Sequence, residues 1–164
     1  MAIRALNHAV LYVRDAERSA AFYRDVLGFR TVMEAPGAAF LQAPDSENDH
    51  DLGLFPIGDG AEASAAGQGS VGMYHLAWEV GTLADLAAVR DRLADAGALV
   101  GSSDHGSTKS LYARDVDGLE FEVVWIIPPA LLTDADRSAK ARVGRLDLDA
   151  EMARFGPDTV GARS

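Results

Sequence analysis

A weak internal repeat restricts the possible folds of this chain more than any other feature of the sequence. Asn7-His8-Ala9-Val10 opens the first half and Tyr74-His75-Leu76-Ala77 opens the second. Each is followed by a helix-like segment with a polar residue at its start, and by a glycine about twenty residues beyond the histidine. The strands after each helix share little sequence, so the repeat depends on order and spacing. It predicts two similar modules in one chain.

In the first half, alternating apolar residues predict strands and capping residues predict one helix. Asp15 is the expected N-cap of a helix that runs to Leu27 and stops at Gly28. The predicted strands are Leu6 to Val13, which carries His8, then Phe29 to Glu34, Ala38 to Ala43 and His50 to Ile57. The first half is therefore expected to be β-α-β-β-β.

The second half is predicted to begin after a connection. Residues 58–72 are rich in glycine, alanine and serine without a hydrophobic period, and no phosphate-binding glycine pattern lies among them. Met73 to Val80 is predicted as a strand. Thr82, with Asp85 three residues later, predicts the capping box of a helix that ends near Gly97.

A hairpin is expected to close the second half. Residues 103–108 are read as a loop, followed by a strand that carries Tyr112 and a strand that carries Glu122. The tight turn between them is Asp115-Val116-Asp117-Gly118, in which Gly118 is expected to take a positive φ. The residues alone thus predict two strands after the second helix.

The last part of the chain, residues 128–164, is polar and charged from Asp134 onward. Asp134 to Phe155 can form helix, and Gly156 to Ser164 is expected to be frayed. We expect this segment to be a helical extension that packs on the domain or on a second copy of the chain.

Composition excludes several classes of function. The net charge of -10 argues against binding to nucleic acid or to anionic membranes. The chain has no cysteine, so a metal ion would need histidine and carboxylate ligands. No apolar run is long enough to cross a bilayer and the N-terminal residues lack an apolar export core, so a soluble cytoplasmic protein is expected.

Three residues form a candidate metal site. His8 and His75 occupy corresponding positions in the two halves, and Glu122 lies on the last predicted strand. Two imidazoles and one carboxylate leave coordination positions open, as in non-haem Fe(II) oxygenases. The alternative is that both histidines are hydrogen-bonded core residues and that Glu122 lies on a solvated strand face.

These residues resemble the vicinal oxygen chelate superfamily, which includes glyoxalases, bleomycin-resistance proteins and extradiol dioxygenases. The resemblance covers about residues 3–127, and its most specific element is the turn Asp115-Val116-Asp117-Gly118, in which Val116 replaces the usual proline. It implies an α+β domain, residues 1–127, in which two βαβββ modules pair into a half-open mixed β-barrel around a metal. The implied modules are residues 3–57 and 73–127, joined by the linker 58–72.

Within that superfamily the sequence is most similar to type I extradiol dioxygenases of the catechol 2,3-dioxygenase kind. The similar segments are Asp104-His105-Gly106, Ser110-Leu111-Tyr112 and Asp49-His50-Asp51-Leu52-Gly53-Leu54, with Tyr112 ten residues before Glu122. The resemblance implies a homodimer that cleaves a catechol-type diol with O2, and it leaves open whether the modules pair within one chain or between two.

The same resemblance implies a role for each site residue. Fe(II), or Mn(II) in its place, would be held by His8, His75 and Glu122. His50 would be the acid–base, since imidazole suits proton transfer near neutral pH. Tyr112 would donate a hydrogen bond to the ring oxygen and His105 would steady the same edge. The alternatives are that His50 caps a polar loop, His105 is a turn residue and Tyr112 is half-buried core, while Lys109 is expected to be solvated.

Other members of the superfamily offer competing functions. A fosfomycin-resistance-type transferase would need cations for a phosphonate, and only Lys109 and Arg114 lie near the predicted site. A glyoxalase or epimerase usually needs a further ligand at the end of the first module, where Asp51 is the nearest carboxylate. A bleomycin-resistance-type protein would bind a drug without any metal.

Overall fold

The computed structural model describes residues 2–3, 5–140 and 142–163. It divides into two compact units. Unit 1 comprises Met1–Ser64 with Asp115–Gly118, and unit 2 comprises Ala65–Arg114 with Leu119–Ser164. No described helix combines the length and the apolar character that a membrane span requires.

Unit 1 is a four-stranded sheet with one helix on it. Its elements are β1 (Ala9–Val13), α1 (Ala16–Leu27), β2 (Arg30–Ala35), β3 (Ala38–Gln42) and β4 (Leu52–Pro56). The strand order is β1-β4-β3-β2, in which β1 is parallel to β4 and the other pairs are antiparallel. The predicted β-α-β-β-β order is therefore confirmed in unit 1.

The limits of α1 are those that the sequence predicts. The Asp15 carboxylate accepts a hydrogen bond from the backbone N–H of Arg18 at 2.8 Å, which satisfies a free donor of the first turn. Gly28 ends the helix at φ 80°, a conformation that costs glycine little. The apolar side of α1 packs on the sheet, where the buried core includes Tyr23, Leu41 and Leu54.

Unit 2 repeats the same topology and adds the C-terminal helices. Its strands and first helix are β5 (Leu76–Glu79), α2 (Leu83–Asp95), β6 (Leu99–Asp104), β7 (Thr108–Arg114) and β8 (Glu120–Ile126). A 3-10 turn (Pro129–Leu131), α3 (Asp134–Ala139) and α4 (Leu148–Phe155) follow. The strand order β5-β8-β7-β6, with β5 parallel to β8, matches unit 1 strand for strand. The predicted capping box of Thr82 and Asp85 is present at the start of α2.

Strand β6 is the element that the residue pattern missed. The resemblance to the superfamily required a third strand after α2, and the structure confirms it. Two features hide β6 in the sequence: Gly101, Ser102 and Ser103 are weak strand formers, and the register with β7 shifts between Leu99 and Gly101.

Four strands begin later than predicted: β2 starts one residue late at Arg30, and β1, β4 and β5 start two or three residues late, at Ala9, Leu52 and Leu76. Ala9 pairs with Leu52, and Leu76 pairs with Phe121, so regular pairing starts only there. His8 and His75 consequently each lie one residue before the first strand of their unit. The repeat is preserved at this position.

The expectation of a frayed end is wrong as far as Ala162; Ser164 lies outside the described residues. The backbone N–H of Gly161 donates to the Gly81 carbonyl at 2.8 Å, and that of Ala162 donates to the Ile126 carbonyl at 2.9 Å. A Cβ on Gly161 would lie 3.0 Å from the Ile126 oxygen and from the Trp125 ring. The tail is therefore fitted closely against unit 2.

Candidate functional site

Unit 2 places His75 and Glu122 in contact. Glu122 on β8 pairs with Ala77 on β5, and strand alternation turns it away from the face that buries Phe121 and Val123. His75 precedes β5 on the same side. Its Nε2 lies 3.2 Å from Oε2 of Glu122, and both side chains are largely buried.

The pair fits two ligands of one metal ion. Adjacent ligands of an octahedral ion with bonds of about 2.1 Å lie about 3 Å apart, close to the observed separation of 3.2 Å. Nδ1 of His75 is buried and has no hydrogen-bond partner among the described residues, and coordination of an ion through Nε2 would leave this nitrogen unchanged. The donor set of unit 2 is therefore compatible with a divalent cation.

Tyr112 lies beside this pair. It is the cross-strand partner of Glu122 on β7, and its ring centroid is 6.1 Å from that of His75. Its hydroxyl oxygen lies 2.8 Å from Nε2 of His105 and 3.1 Å from the Ser103 hydroxyl oxygen. Unit 2 thus brings together four of the predicted site residues, namely His75, Glu122, Tyr112 and His105.

Ser103 is a site residue that sequence reasoning missed. Its Oγ is 2.7 Å from Nε2 of His105 and the residue is buried. Ser103 pairs with Ser110 across β6 and β7. Strand alternation would have placed it on the face of Tyr112 if β6 had been predicted as a strand.

Unit 1 brings together His8 and His50. Their ring centroids are 4.5 Å apart, and the His50 ring lies 5.1 Å from that of Phe40. Nδ1 of His8 contacts Oδ1 of Asn7 at 2.8 Å, and Nδ1 of His50 contacts Oδ2 of Asp49 at 3.0 Å. Both Nε2 atoms are left without a hydrogen bond among the described residues.

No group of three or more histidine and acidic side chains in the described part of the chain is arranged to hold a metal ion. Unit 2 supplies the pair His75 and Glu122. Asp51 of unit 1 is already engaged, because its carboxylate accepts hydrogen bonds from the Ala43 N–H at 2.8 Å, the Ser46 hydroxyl at 2.8 Å and the Asn48 amide at 2.9 Å. Asp51 is therefore a poor candidate for a further ligand.

The prediction that Lys109 is solvated is wrong. Its side chain is 1% exposed, and Nζ lies 2.7 Å from Asp104 and 3.2 Å from Glu151. Lys109 and Tyr112 lie three positions apart on β7, so their side chains are on opposite faces of the sheet. Arg114 lies 3.4 Å from Glu120. The two cations that could serve a phosphonate are thus both paired with carboxylates.

The turn Asp115–Gly118 is confirmed, with Gly118 at φ 82°. Asp117 accepts from the backbone N–H of Arg14 at 2.7 Å and from the Arg14 and Arg18 guanidinium groups at 3.0 and 2.8 Å. Burial favours a higher pKa for Asp117, but these hydrogen bonds and charges hold its pKa below the ordinary value. Burial, together with the charge of Asp115, raises the pKa of Tyr23 well above its ordinary value. The turn is thus fixed within unit 1 by charge pairs.

Comparisons with known proteins agree with this architecture. Residues 5–123 match the Glyoxalase/Bleomycin resistance protein/Dioxygenase superfamily. Biphenyl-2,3-diol 1,2-dioxygenase 3 of Rhodococcus globerulus is 35% identical over 133 residues, which cover 79% of this chain and 68% of that protein. Catechol-2,3-dioxygenase of Bacillus subtilis (strain 168) is 30% identical over 119 residues, which cover 72% of this chain but only 40% of that protein.

A relative with a different activity has a similar length. Ethylmalonyl-CoA/methylmalonyl-CoA epimerase of Cereibacter sphaeroides is 33% identical over 147 residues, which cover 74% of this chain and 97% of that protein. A glyoxylase/bleomycin resistance protein/dioxygenase domain from Frankia sp. EAN1pec has a crystal structure that aligns with a TM-score of 0.63 at 23% identity, over 75% of this chain and 92% of that one. That likeness concerns the fold alone. The family match spans most of the chain, and the chain therefore belongs to the Glyoxalase/Bleomycin resistance protein/Dioxygenase superfamily.

Proposed function

We propose that this protein is an Fe(II)-dependent extradiol dioxygenase that opens a catechol-type ring with O2. The observation that carries the proposal is the grouping in unit 2, where the His75–Glu122 pair at 3.2 Å lies next to the hydrogen-bonded Tyr112 and His105. A carboxylate, a phenol and two imidazoles on one sheet face combine metal ligands with groups that bind a diol. The two dioxygenase relatives support the same reaction class.

The proposed metal ligands are His75 and Glu122 of unit 2 with His8 of unit 1. The role of His8 follows from its place in the sequence repeat. Bound Fe(II) would supply the electron transfer between a chelated diol and O2 that ring cleavage requires, without an external reductant. Mn(II) would satisfy the same nitrogen and oxygen donors.

The remaining residues would bind and deprotonate the substrate. His50 would take the proton of one diol hydroxyl and return it later, and Nδ1 of this histidine is steadied by Asp49 at 3.0 Å. Phe40 lies 5.1 Å from the His50 ring and 5.8 Å from Phe55, which gives unit 1 an aromatic wall suited to a planar ring. Tyr112 and His105 would contact the oxygen edge of the substrate.

Epimerase activity on an acyl-CoA is the second candidate, because the match covers 97% of that relative and 74% of this chain. The local structure gives it less support. β4 (Leu52–Pro56) carries no carboxylate, and neighbouring Asp51 is held by three hydrogen bonds. Exchange of a hydrogen isotope between the α-carbon of an acyl-CoA and the solvent would identify this activity directly.

The test is anaerobic loading with Fe(II) followed by a panel of catechols, with O2 uptake and the yellow ring-opened product as readouts. Glu122→Gln is expected to lose iron binding and turnover. Glu120→Gln is the matched control, since Glu120 lies two residues away on the same strand and is 3.4 Å from Arg114. An iron-loaded protein that turns over no catechol would refute the proposal, and so would full activity of Glu122→Gln.

Metal binding also separates the enzyme from a metal-free drug-binding protein. A stoichiometric Fe(II) or Mn(II) site that disappears in His75→Ala supports the enzyme. A purified chain that binds neither ion at any stage would favour a bleomycin-resistance-type binding role.

A further inference from the structure

The loop that carries His105 is held by the C-terminal extension. Asp104 and Gly144 exchange two backbone hydrogen bonds of 2.9 and 2.8 Å, as in a short antiparallel ladder. Gly106, at φ 77°, lies against α3, where an added Cβ would overlap the carbonyl oxygen of Asp136. Contacts from residues 136 and 144 therefore fix the loop on either side of His105.

Between these two anchors the extension contacts His105 itself. Nδ1 of His105 lies 3.3 Å from the backbone carbonyl oxygen of Arg142. A carbonyl can only accept a hydrogen bond, so the proton must be on Nδ1. In a neutral imidazole the other nitrogen, Nε2, is then an acceptor.

The assignment of Nε2 makes it an acceptor for the hydroxyl groups beside it. The Ser103 hydroxyl oxygen lies 2.7 Å and the Tyr112 hydroxyl oxygen 2.8 Å from Nε2 of His105, and the two hydroxyl oxygens are 3.1 Å apart. Since each hydroxyl can donate or accept, one of the two protons is directed to Nε2 and the other is left for the second hydroxyl or for a ligand.

We propose that the C-terminal extension is part of the site, because the Arg142 carbonyl holds His105 as the Nδ1–H tautomer and thereby makes Nε2 the acceptor for the hydroxyls of Ser103 and Tyr112. Arg142 is a positioning residue, acting through its backbone. The consequence for substrate rests on the proposed function: with Nε2 occupied as an acceptor, His105 orients the Tyr112 hydroxyl that would face the diol.

The tautomer can be measured by NMR on the 164-residue chain with 15N-labelled histidine, without metal or substrate, at a pH at which the 15N shifts themselves show a neutral ring. Loss of signals in His105→Gln assigns the His105 nitrogens. The wild type is expected to carry the proton on Nδ1. Arg142→Ala should keep it there, because this variant retains the carbonyl. A wild-type proton on Nε2 overturns the proposal.

A second variant tests the role of the extension. Gly144→Pro removes the N–H that donates to Asp104 at 2.8 Å, and the Nδ1–H form of His105 should become the minor form. An unchanged tautomer in folded Gly144→Pro overturns the proposal. If this variant does not fold, Gly144→Ala replaces it, because the added Cβ would lie 3.3 Å from the Asp104 oxygen. The fraction of the Nδ1–H form should then fall, but by less than in Gly144→Pro.

This experiment needs neither iron nor turnover, so its outcome is separate from that of the dioxygenase assay. An inactive protein with the Nδ1–H tautomer would refute the proposed reaction and support the positioning role. An active dioxygenase with the proton on Nε2 would refute the positioning role alone.

Discussion

Arg154 and Asp136 form a bidentate ion pair that connects α4 to α3. Nη1 of Arg154 lies 2.9 Å from Oδ1 of Asp136, and Nη2 lies 2.6 Å from Oδ2. Asp136 also accepts from the hydroxyl and the N–H of Thr133 at 2.6 and 2.9 Å. The carbonyl of the same Asp136 faces Gly106. The ion pair therefore holds the extension beside the loop of His105.

Asp136→Asn should destabilise the protein. It removes a charged partner that is buried and bonded to Arg154. Because Arg154 is 37% exposed, we expect the free energy of unfolding to fall by only about 1–2 kcal/mol, measured by urea denaturation. Asp134→Asn, an exposed change in the first turn of the same helix, should alter it by less than about 0.5 kcal/mol. Equal effects of the two substitutions would contradict this assignment.

The same pair predicts a loss of stability in acid. Hydrogen bonds from Arg154 hold the pKa of Asp136 well below its ordinary value; burial opposes this shift and Thr133 adds to it. A carboxyl with a depressed pKa contributes stability at pH values above its unfolded pKa of about 3.9, and this contribution is lost as the pH falls through the folded pKa. Unfolding measured from about pH 6 down to pH 2 should therefore show the wild type and Asp136→Asn converging below about pH 4. A constant difference across that range would contradict the prediction.

Lys109→Met should be the more damaging change. Its removal would take the charged partner at 2.7 Å from Asp104, whose carboxylate keeps the hydrogen bond from the Gly106 N–H. Oε2 of Glu151 is buried without a hydrogen bond among the described residues, and it would be left with Arg154 at 3.8 Å. An uncompensated buried charge costs about 3 kcal/mol or more. Lys140→Met, at the only other lysine of the sequence and in an exposed position, should be nearly neutral. Thermal unfolding of both variants gives the comparison.

These pairs show where sequence reasoning succeeds and where it does not. Features that depend on residues a few positions away could be predicted. They are the helix N-caps at Asp15 and Thr82, the helix end at Gly28 and the turn at Gly118. Lys109 could not, since it stands among serine and threonine in the sequence and its counter-charge on Glu151 comes from a helix at the far end of the chain. Burial of a charge depends on tertiary contacts.

The candidate site divides in the same way. The proximity of Glu122 and Tyr112 follows from a hairpin register that the turn fixes. Ser103 was missed because β6 was missed, and the Arg142 carbonyl has no side-chain signal in any sequence. The ligand role of His8 stays a prediction from the repeat.

Tyr112→Phe should lower turnover without loss of iron. The substitution removes the hydroxyl that lies 2.8 Å from Nε2 of His105, and it leaves the His75–Glu122 pair unchanged. We expect kcat for a catechol to fall about 100- to 1000-fold, as for loss of one hydrogen-bonding group at a reacting oxygen. Bound iron per chain should equal that of the wild type. Unchanged kcat would remove Tyr112 from the reaction, and lost iron would make its role structural.

Gly118→Ala isolates the conformational cost of the turn. Gly118 has φ 82° and no atom within 4 Å of a built Cβ, so the substitution introduces backbone strain without a clash. The left-handed conformation costs a residue with a Cβ about 1–2 kcal/mol, and Gly118→Asn should cost less because asparagine tolerates it better. Gly101→Ala is the matched control, since its Cβ is equally free and its φ is not in this region. Its free energy of unfolding should change by less than about 0.5 kcal/mol. Equal losses at Gly118 and Gly101 in urea denaturation would mean that the turn is not held in the left-handed conformation in solution.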